Sequence, residues 1–275
     1  MSENPLKSYF RQPKIYISLV TKGIYNKPGT IKGDATNLAV YGMTGMDEII
    51  YKTPDALMTG EASVQVIKSC VPDIVDPWDL SVIDADLVFS SIRIATYGNT
   101  MSIAKDCDNC GEENEYDLDL AFVIDHFNSV KYNNKIYVDD FIIHTRPITY
   151  KQLTEFNLRN FEMQQKLKQA DAVKDETEKQ QFINQVWKDL AEAQQRLALL
   201  SVESVEVGGK TVTDKAFIAE WLENSDQKIT DAIQNHILNN RQAWSMPKHK
   251  IKCSSCGHEG EITLDLDQSN FFAVA

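Results

Sequence analysis

The chain has little of what would place it in a specialised class. Its 275 residues hold only 12 Gly and 8 Pro, too few for a collagen-like or low-complexity chain. No apolar run approaches the roughly 18 residues that a membrane-spanning helix needs. The start, MSENPLKSYFRQPK, lacks the apolar centre and small-residue cleavage site of a secretory signal. A soluble chain kept in a cytosol is therefore expected. Basic residues are in deficit: 28 Lys plus Arg against 40 Asp plus Glu leave a net charge of -12. Phosphate repels such a surface, so neither nucleic acid nor a membrane is an expected partner. A Gly-rich phosphate loop, a Gly-x-Ser-x-Gly elbow and a His-Glu-x-x-His helix are all missing, and the chain is expected not to be an enzyme. Cysteine is scarce as well. In a reducing compartment Cys70, Cys107, Cys110, Cys253 and Cys256 read as thiols or metal ligands before disulfides.

What is present is a globular balance, 43% hydrophobic and 25% charged, on a length that makes one or two compact units. Residues 1–14 read as an arm without fixed structure. ISLV and GIY, then NLAVYGM (37–43), read as two strands that pair. Met46 to Met58 reads as short helix or turn broken by Pro54, and Ala62, Val66, Ile67 and Cys70 mark a helix that stops before Pro72. Ser81 with Asp84 resembles a capping box. The helix that follows puts Leu87, Ile94 and Tyr97 on one core-facing side and ends at Gly98. TMSIAKDC, EYDLDLAF, VKYNN and KIYVDDFIIHT read as successive strands, with a hairpin turn at Asn133-Asn134.

Near Pro147 the composition changes to Gln, Glu, Lys, Leu and Ala. Leu153, Phe156, Met163 and Leu167, then Val186, Leu190, Ala193 and Leu197, keep three–four spacing, which predicts two long helices joined through 171–177 as an antiparallel hairpin. VEVGGKTV reads as a small hairpin turning at Gly208-Gly209. Two further helices follow, DKAFIAEWLE and a Ser225-capped DQKITDAIQNHILNN, before β structure returns in KHKIKC and EITLDL.

The most specific pattern is a repeat. Cys107-Asp-Asn-Cys110-Gly and Cys253-Ser-Ser-Cys256-Gly, with 142 residues between them, each run on into acidic residues and a strand ending Leu-Asp-Leu. A tight turn lets both thiolates of one pair reach a metal at about 2.3 Å, and two such knuckles fill a tetrahedral shell. The expectation is one structural Zn2+ ion on Cys107, Cys110, Cys253 and Cys256, in a ribbon split by the chain's middle. A redox pair would sit at a helix start, whereas these run into strand. Catalytic zinc would need an open position. Iron on four thiolates has the same spacing. His258 is an alternative ligand, and Cys70, alone in a helix stripe, reads as core.

His126, His144, His236 and His249 are scattered. Asp84 with Asp86, Glu112-Glu113 and Asp139-Asp140 pair carboxylates without a pocket to share, so solvated faces are the simpler reading. If Phe161, Phe182 and Trp187 lie off the helical-hairpin seam, they favour a partner surface.

The stretch TPDALMTGEASVQVIKSCVPDI, the helix ending IRIATYGNTMSI and the knuckle CDNCGEENEYDL together resemble the T4-type bacteriophage baseplate protein family, with Arg93, Tyr97, Gly98, Cys107 and Cys110 at its signature positions. The resemblance covers roughly residues 15–120 and returns from Cys253 to Leu266. It implies a small baseplate hub subunit of a contractile tail, located in the virion and assembled in the host cytoplasm with other hub or tail proteins and the tape measure, in a symmetric multimer. An assembly chaperone absent from the particle is the first alternative. A zinc-ribbon adaptor of transcription machinery, with KHKIKC (248–253) as its basic patch, is the second. The expected fold is α+β: an arm (1–14), a β-rich domain with the first knuckle (15–148), a helical insertion (149–245) and the second knuckle completing the ribbon (246–275).

Overall fold

In the computed structural model, which describes residues 4–53, 59–170 and 175–264, the N-terminal arm is held in place. Asn4 caps a 3-10 turn over Pro5–Tyr9. The Arg11 guanidinium donates to the carbonyls of Gly42 (2.7 Å) and Ser69 (2.6 Å) and faces the buried Asp47 carboxylate at 3.5 Å. One charged fork thus ties the arm to two later segments, which corrects the expectation of an unstructured arm. Strands β1 (Ile15–Ile17) and β2 (Leu38–Val40) pair antiparallel, although GIY is a turn. Helix α1 (Gly45–Tyr51) starts in a capping box of Thr44 and Asp47, and the rest of that stretch, 54–58 with Pro54, lies outside the described residues. Helix α2 (Glu61–Cys70) stops before Pro72.

Ser81 caps α3 (Val82–Tyr97) by accepting from the Asp84 N–H. One apolar face was expected, yet from Ile83 to Ala95 every residue except Asp86 is buried, as in a helix enclosed on all sides. Ser90 and Ser91 can sit inside because their hydroxyls donate back to the carbonyls of Asp86 (2.8 Å) and Leu87 (2.7 Å). Asp84 accepts from the Thr21 N–H at 3.0 Å and from the Ser81 hydroxyl at 2.7 Å. It pins the preceding loop to α3, and burial pushes its carboxyl above the ordinary range.

Strands β3 (Thr100–Asp106) and β4 (Glu113–Asp119) form the first knuckle's hairpin. The expected run of strands is then interrupted. Ala121–Ser129 is helix α4, buried through Val123 and Phe127, an i, i+4 pair too short to outweigh an apparent alternation. VKYNN forms no strand. The hairpin of β5 (Lys135–Val138) and β6 (Phe141–Thr145) turns at Asp139-Asp140, where Asp139 has φ 48°. Asn133 instead exchanges hydrogen bonds with the Asn240 amide, 2.9 and 3.0 Å long, which gives an irregular segment the pairing a strand would have provided.

Helices α5 (Tyr150–Ala170) and α6 (Glu176–Ser201) pack as the expected hairpin. Of their connection, residues 171–174 lie outside the described residues, and Asp175 caps α6. Helix α6 leads directly into β7 (Val202–Val207), which turns through Gly208-Gly209 into β8 (Lys210–Val212). Sheet order β5-β6-β7-β8 joins strands from both sides of residue 149. Helix α7 (Lys215–Glu223) and helix α8 (Gln227–Trp244) close over this sheet, with Asp226 rather than Ser225 at the cap of α8. The chain returns through β9 (Lys248–Lys252) and β10 (Glu259–Thr263), and the expected strand end at 265–266 lies outside the described residues. Two apolar clusters result, one around α3 and one between the four-stranded sheet and α6, α7 and α8. Helix at 49% and sheet at 21% in segregated blocks make the class α+β.

Candidate metal centre

Each cysteine pair sits in the turn of a two-stranded hairpin, and the two turns are built alike. In the first, the Cys107 N–H donates to the Glu112 carbonyl (2.9 Å) and the Gly111 N–H to the Cys107 carbonyl (2.9 Å); in the second, Cys253 N–H donates to His258 O (2.9 Å) and Gly257 N–H to Cys253 O (3.0 Å). Gly111 and Gly257 share φ 72°, a left-handed conformation that explains glycine after the second cysteine in both pairs. The repeat seen in the sequence is thus a repeat of backbone geometry.

The two turns meet. Cys107 Sγ lies 3.7 Å from Cys256 Sγ, and Cys110 Sγ lies 3.7 Å from Cys253 Sγ. All four sulfurs fall within 4.8 Å of one another. A disulfide needs about 2.05 Å, so these are four separate thiols. A tetrahedron of metal–sulfur bonds about 2.3 Å long has edges of about 3.8 Å, which the two 3.7 Å separations match. Cys107 and Cys253 are buried whereas Cys110 and Cys256 are exposed, so the cluster sits at a surface tip. His258 contributes a carbonyl to its turn, and its ring is not in the cluster.

Electrostatics favour a cation. The Cys256 N–H holds the Cys253 thiol down at about 6, and the His258 N–H followed by the Asn109 amide lower Cys256. The Glu112 N–H also favours a Cys110 thiolate, but the crowded sulfurs and desolvation outweigh it and push that thiol to about 12. Four thiolates this close repel one another, and a divalent ion at their centre lets all four ionise.

Two residues missed in the sequence complete the arrangement. Asn114, buried inside β4, donates to Cys253 Sγ (3.4 Å) and to the Glu112 carbonyl (2.8 Å), and accepts from the Ser254 N–H (2.9 Å) and hydroxyl (2.7 Å). Asn109 donates to Cys256 Sγ at 3.6 Å. Both reach from the first knuckle to the second, the kind of outer support that orients metal ligands. The signal for Asn114 was present: it alternates with exposed acids in ENEYDLD and so falls on the inner face with Tyr116 and Leu118.

The other candidates serve structure. His236 lies between Thr145 Oγ1 (3.0 Å) and the Asn240 amide (3.0 Å), and burial lowers its pKa. His144 faces Glu206 at 2.7 Å. Cys70 is buried, which pushes its thiol to about 12. Arg93 stacks 4.7 Å over the Tyr97 ring, and Gly98, at φ 88°, turns the chain from α3 into the first knuckle. Phe161, Phe182 and Trp187 are exposed on the helical hairpin, Trp187 to 60%, while Val186 and Ala193 of α6 are buried. No helix among the described residues is long and apolar enough to cross a membrane.

A split four-thiol site inside an α+β fold is thus the chain's distinguishing feature. The family described as T4 bacteriophage base plate protein matches residues 43–273. The chain belongs to this family and is a component of a phage baseplate. The match spans both knuckles and the helical region between them, where the sequence carried no recognised motif. No curated protein and no solved structure matches the chain.

Proposed function

We propose that this chain is a structural subunit of the baseplate hub of a contractile tail, that one zinc ion joins its two knuckles, and that it acts by protein–protein assembly rather than catalysis. The observation that carries the metal reading is the pair of 3.7 Å sulfur separations between the two knuckles. When bound, the ion would be held by Cys107, Cys110, Cys253 and Cys256 and would supply cross-linking. Four thiolates close the shell, which favours structure over hydrolysis. Zinc is preferred to iron because a closed shell of four thiolates from two Cys-x-x-Cys knuckles is the usual form of a structural zinc site. The exposed Trp187, Phe161 and Phe182 favour contact with another hub or tail protein or the tape measure.

The acidic surface speaks against the transcription-adaptor reading, because in KHKIKC the Lys248 ammonium is already paired with Glu261 at 3.1 Å. Two measurements test the proposal. Elemental analysis of the purified chain is expected to give one zinc per molecule. Quantitative mass spectrometry of purified particles is expected to find a fixed ratio of a few copies to a known tail protein. Abundance in infected lysate with absence from particles would replace the structural role by that of an assembly chaperone acting in the host cytoplasm.

A further inference from the structure

The two cysteine hairpins lie face to face. Their inward residues, among them Ile103, Leu118, Ile251 and Ile262, join one core. One side of this small sandwich is closed, because Lys105 of β3 reaches across to the Glu261 carbonyl of β10 at 3.1 Å. The opposite side is open. A groove of about 550 Å³ runs between β4 and β9, lined by the consecutive residues Glu115 to Asp119 and His249 to Lys252, with Phe122. Successive residues of a strand point to opposite faces, so it is the edges of β4 and β9 that line the groove. Each belongs to a two-stranded sheet, so each presents backbone donors and acceptors without a ladder partner among the described residues. His249 Nε2, in the same wall, is buried and has no hydrogen-bond partner there.

We propose that two copies of this chain close each other's groove, β4 of one pairing with β9 of its partner, and β9 with the partner's β4, about a two-fold axis parallel to the strands. Charge selects this occupant. The outward face of β4 carries Glu113, Glu115, Asp117 and Asp119, and that of β9 carries Lys250 and Lys252, all exposed, with Lys248 beside them paired to Glu261 of β10 at 3.1 Å. Both rows repeat every second residue, so carboxylates and ammoniums alternate across the new pair in any even register. The inward faces match too, with Tyr116 and Leu118 against the partner's His249 and Ile251. Rotation about such an axis exchanges the sandwich layers. It yields two continuous four-stranded sheets from four open edges, and the contact closes on itself. A β4–β4 contact would set carboxylate against carboxylate. The inference rests on the reading that metal holds the two hairpins together.

Analytical ultracentrifugation of the full, zinc-loaded chain over a concentration series tests it. The wild type is expected to form a dimer that loosens as salt rises. Glu115→Lys with Asp117→Lys, and separately Lys250→Glu with Lys252→Glu, are each expected to weaken self-association about tenfold or more, and mixing the two variants is expected to restore a heterodimer. A wild type that is monomeric at every concentration, or a mixture that fails to reassociate, would overturn the proposal in favour of a strand from another tail protein. So would a variant that dimerises like the wild type. Metal content read on the same samples separates the two ideas: monomers holding one zinc refute the dimer alone, and dimers without zinc refute the metal reading alone. Should the reversals unfold, Glu115→Gln with Asp117→Asn takes their place, and a dimer indifferent to that change and to salt is the overturning result.

Discussion

Around α3, Leu87, Val88 and Ile92 are fully buried, and the buried Ser90 and Ser91 hydroxyls are satisfied by carbonyls of the helix itself. Around the cysteines, each strand alternates inward with exposed side chains, and each sheet has only two strands, which alone is marginal in water. The first region closes by removing apolar surface from water; the second adds a few inward residues such as Leu118 and Ile262 to that core and also gathers four sulfurs at one point. On the metal reading proposed above, coordination at that point would supplement the small core that a thin, charged element can build.

That contrast is most severely tested at the sulfurs. Cys107→Ser or Cys253→Ser is expected to remove most of the metal's contribution, about 10–16 kcal/mol apparent in zinc-finger peptides, and to give aggregated or protease-sensitive protein. Native-like circular dichroism and protease resistance in chelator would show that burial alone suffices. Leu87→Ala in the buried helix is expected to cost about 2–5 kcal/mol in denaturant unfolding while leaving zinc stoichiometry at one. Asn114→Ala, which removes the amide bridging the knuckles, is expected to weaken metal affinity about tenfold to a hundredfold in competition with a chromogenic chelator, with little change in the α3 region. The smallest effect is expected at His236, away from both. Its lowered pKa means the fold prefers the neutral ring, so stability is full above the ordinary histidine range and is lost as pH falls below it. His236→Gln should flatten that slope in thermal denaturation between pH 7.5 and 5.5, and an unchanged slope would remove His236 as its cause.

Much of this was legible in the sequence, for reasons that differ by element. The duplicated Cys-x-x-Cys-Gly with its trailing strand was readable because metal geometry restricts both residue type and spacing, and the structure brings the two pairs together from 143 positions apart. Helices α5 and α6 were readable because their period persists over many turns. Helix α4 was not, since nine residues barely separate helical from alternating pattern. The enclosure of α3 was hidden because burial on all sides depends on what packs around it. The joining of β6 to β7 across the whole helical hairpin could not be seen because strand pairing leaves no mark at that distance. Arg11 and Asn114 were missed for a related reason: each acts on residues far along the chain.

The long interval between the two knuckles also has a meaning in time. Synthesis at about 5–20 residues per second delivers the first cysteine pair on the order of ten seconds before the second. Until then only two of the four clustered cysteines exist and the β3–β4 hairpin has no opposite face, so closure of the two hairpins waits on residues far along the chain. A product ending before Cys253 would carry the arm, α3 and the helical hairpin yet lack the β9–β10 hairpin that faces β3–β4.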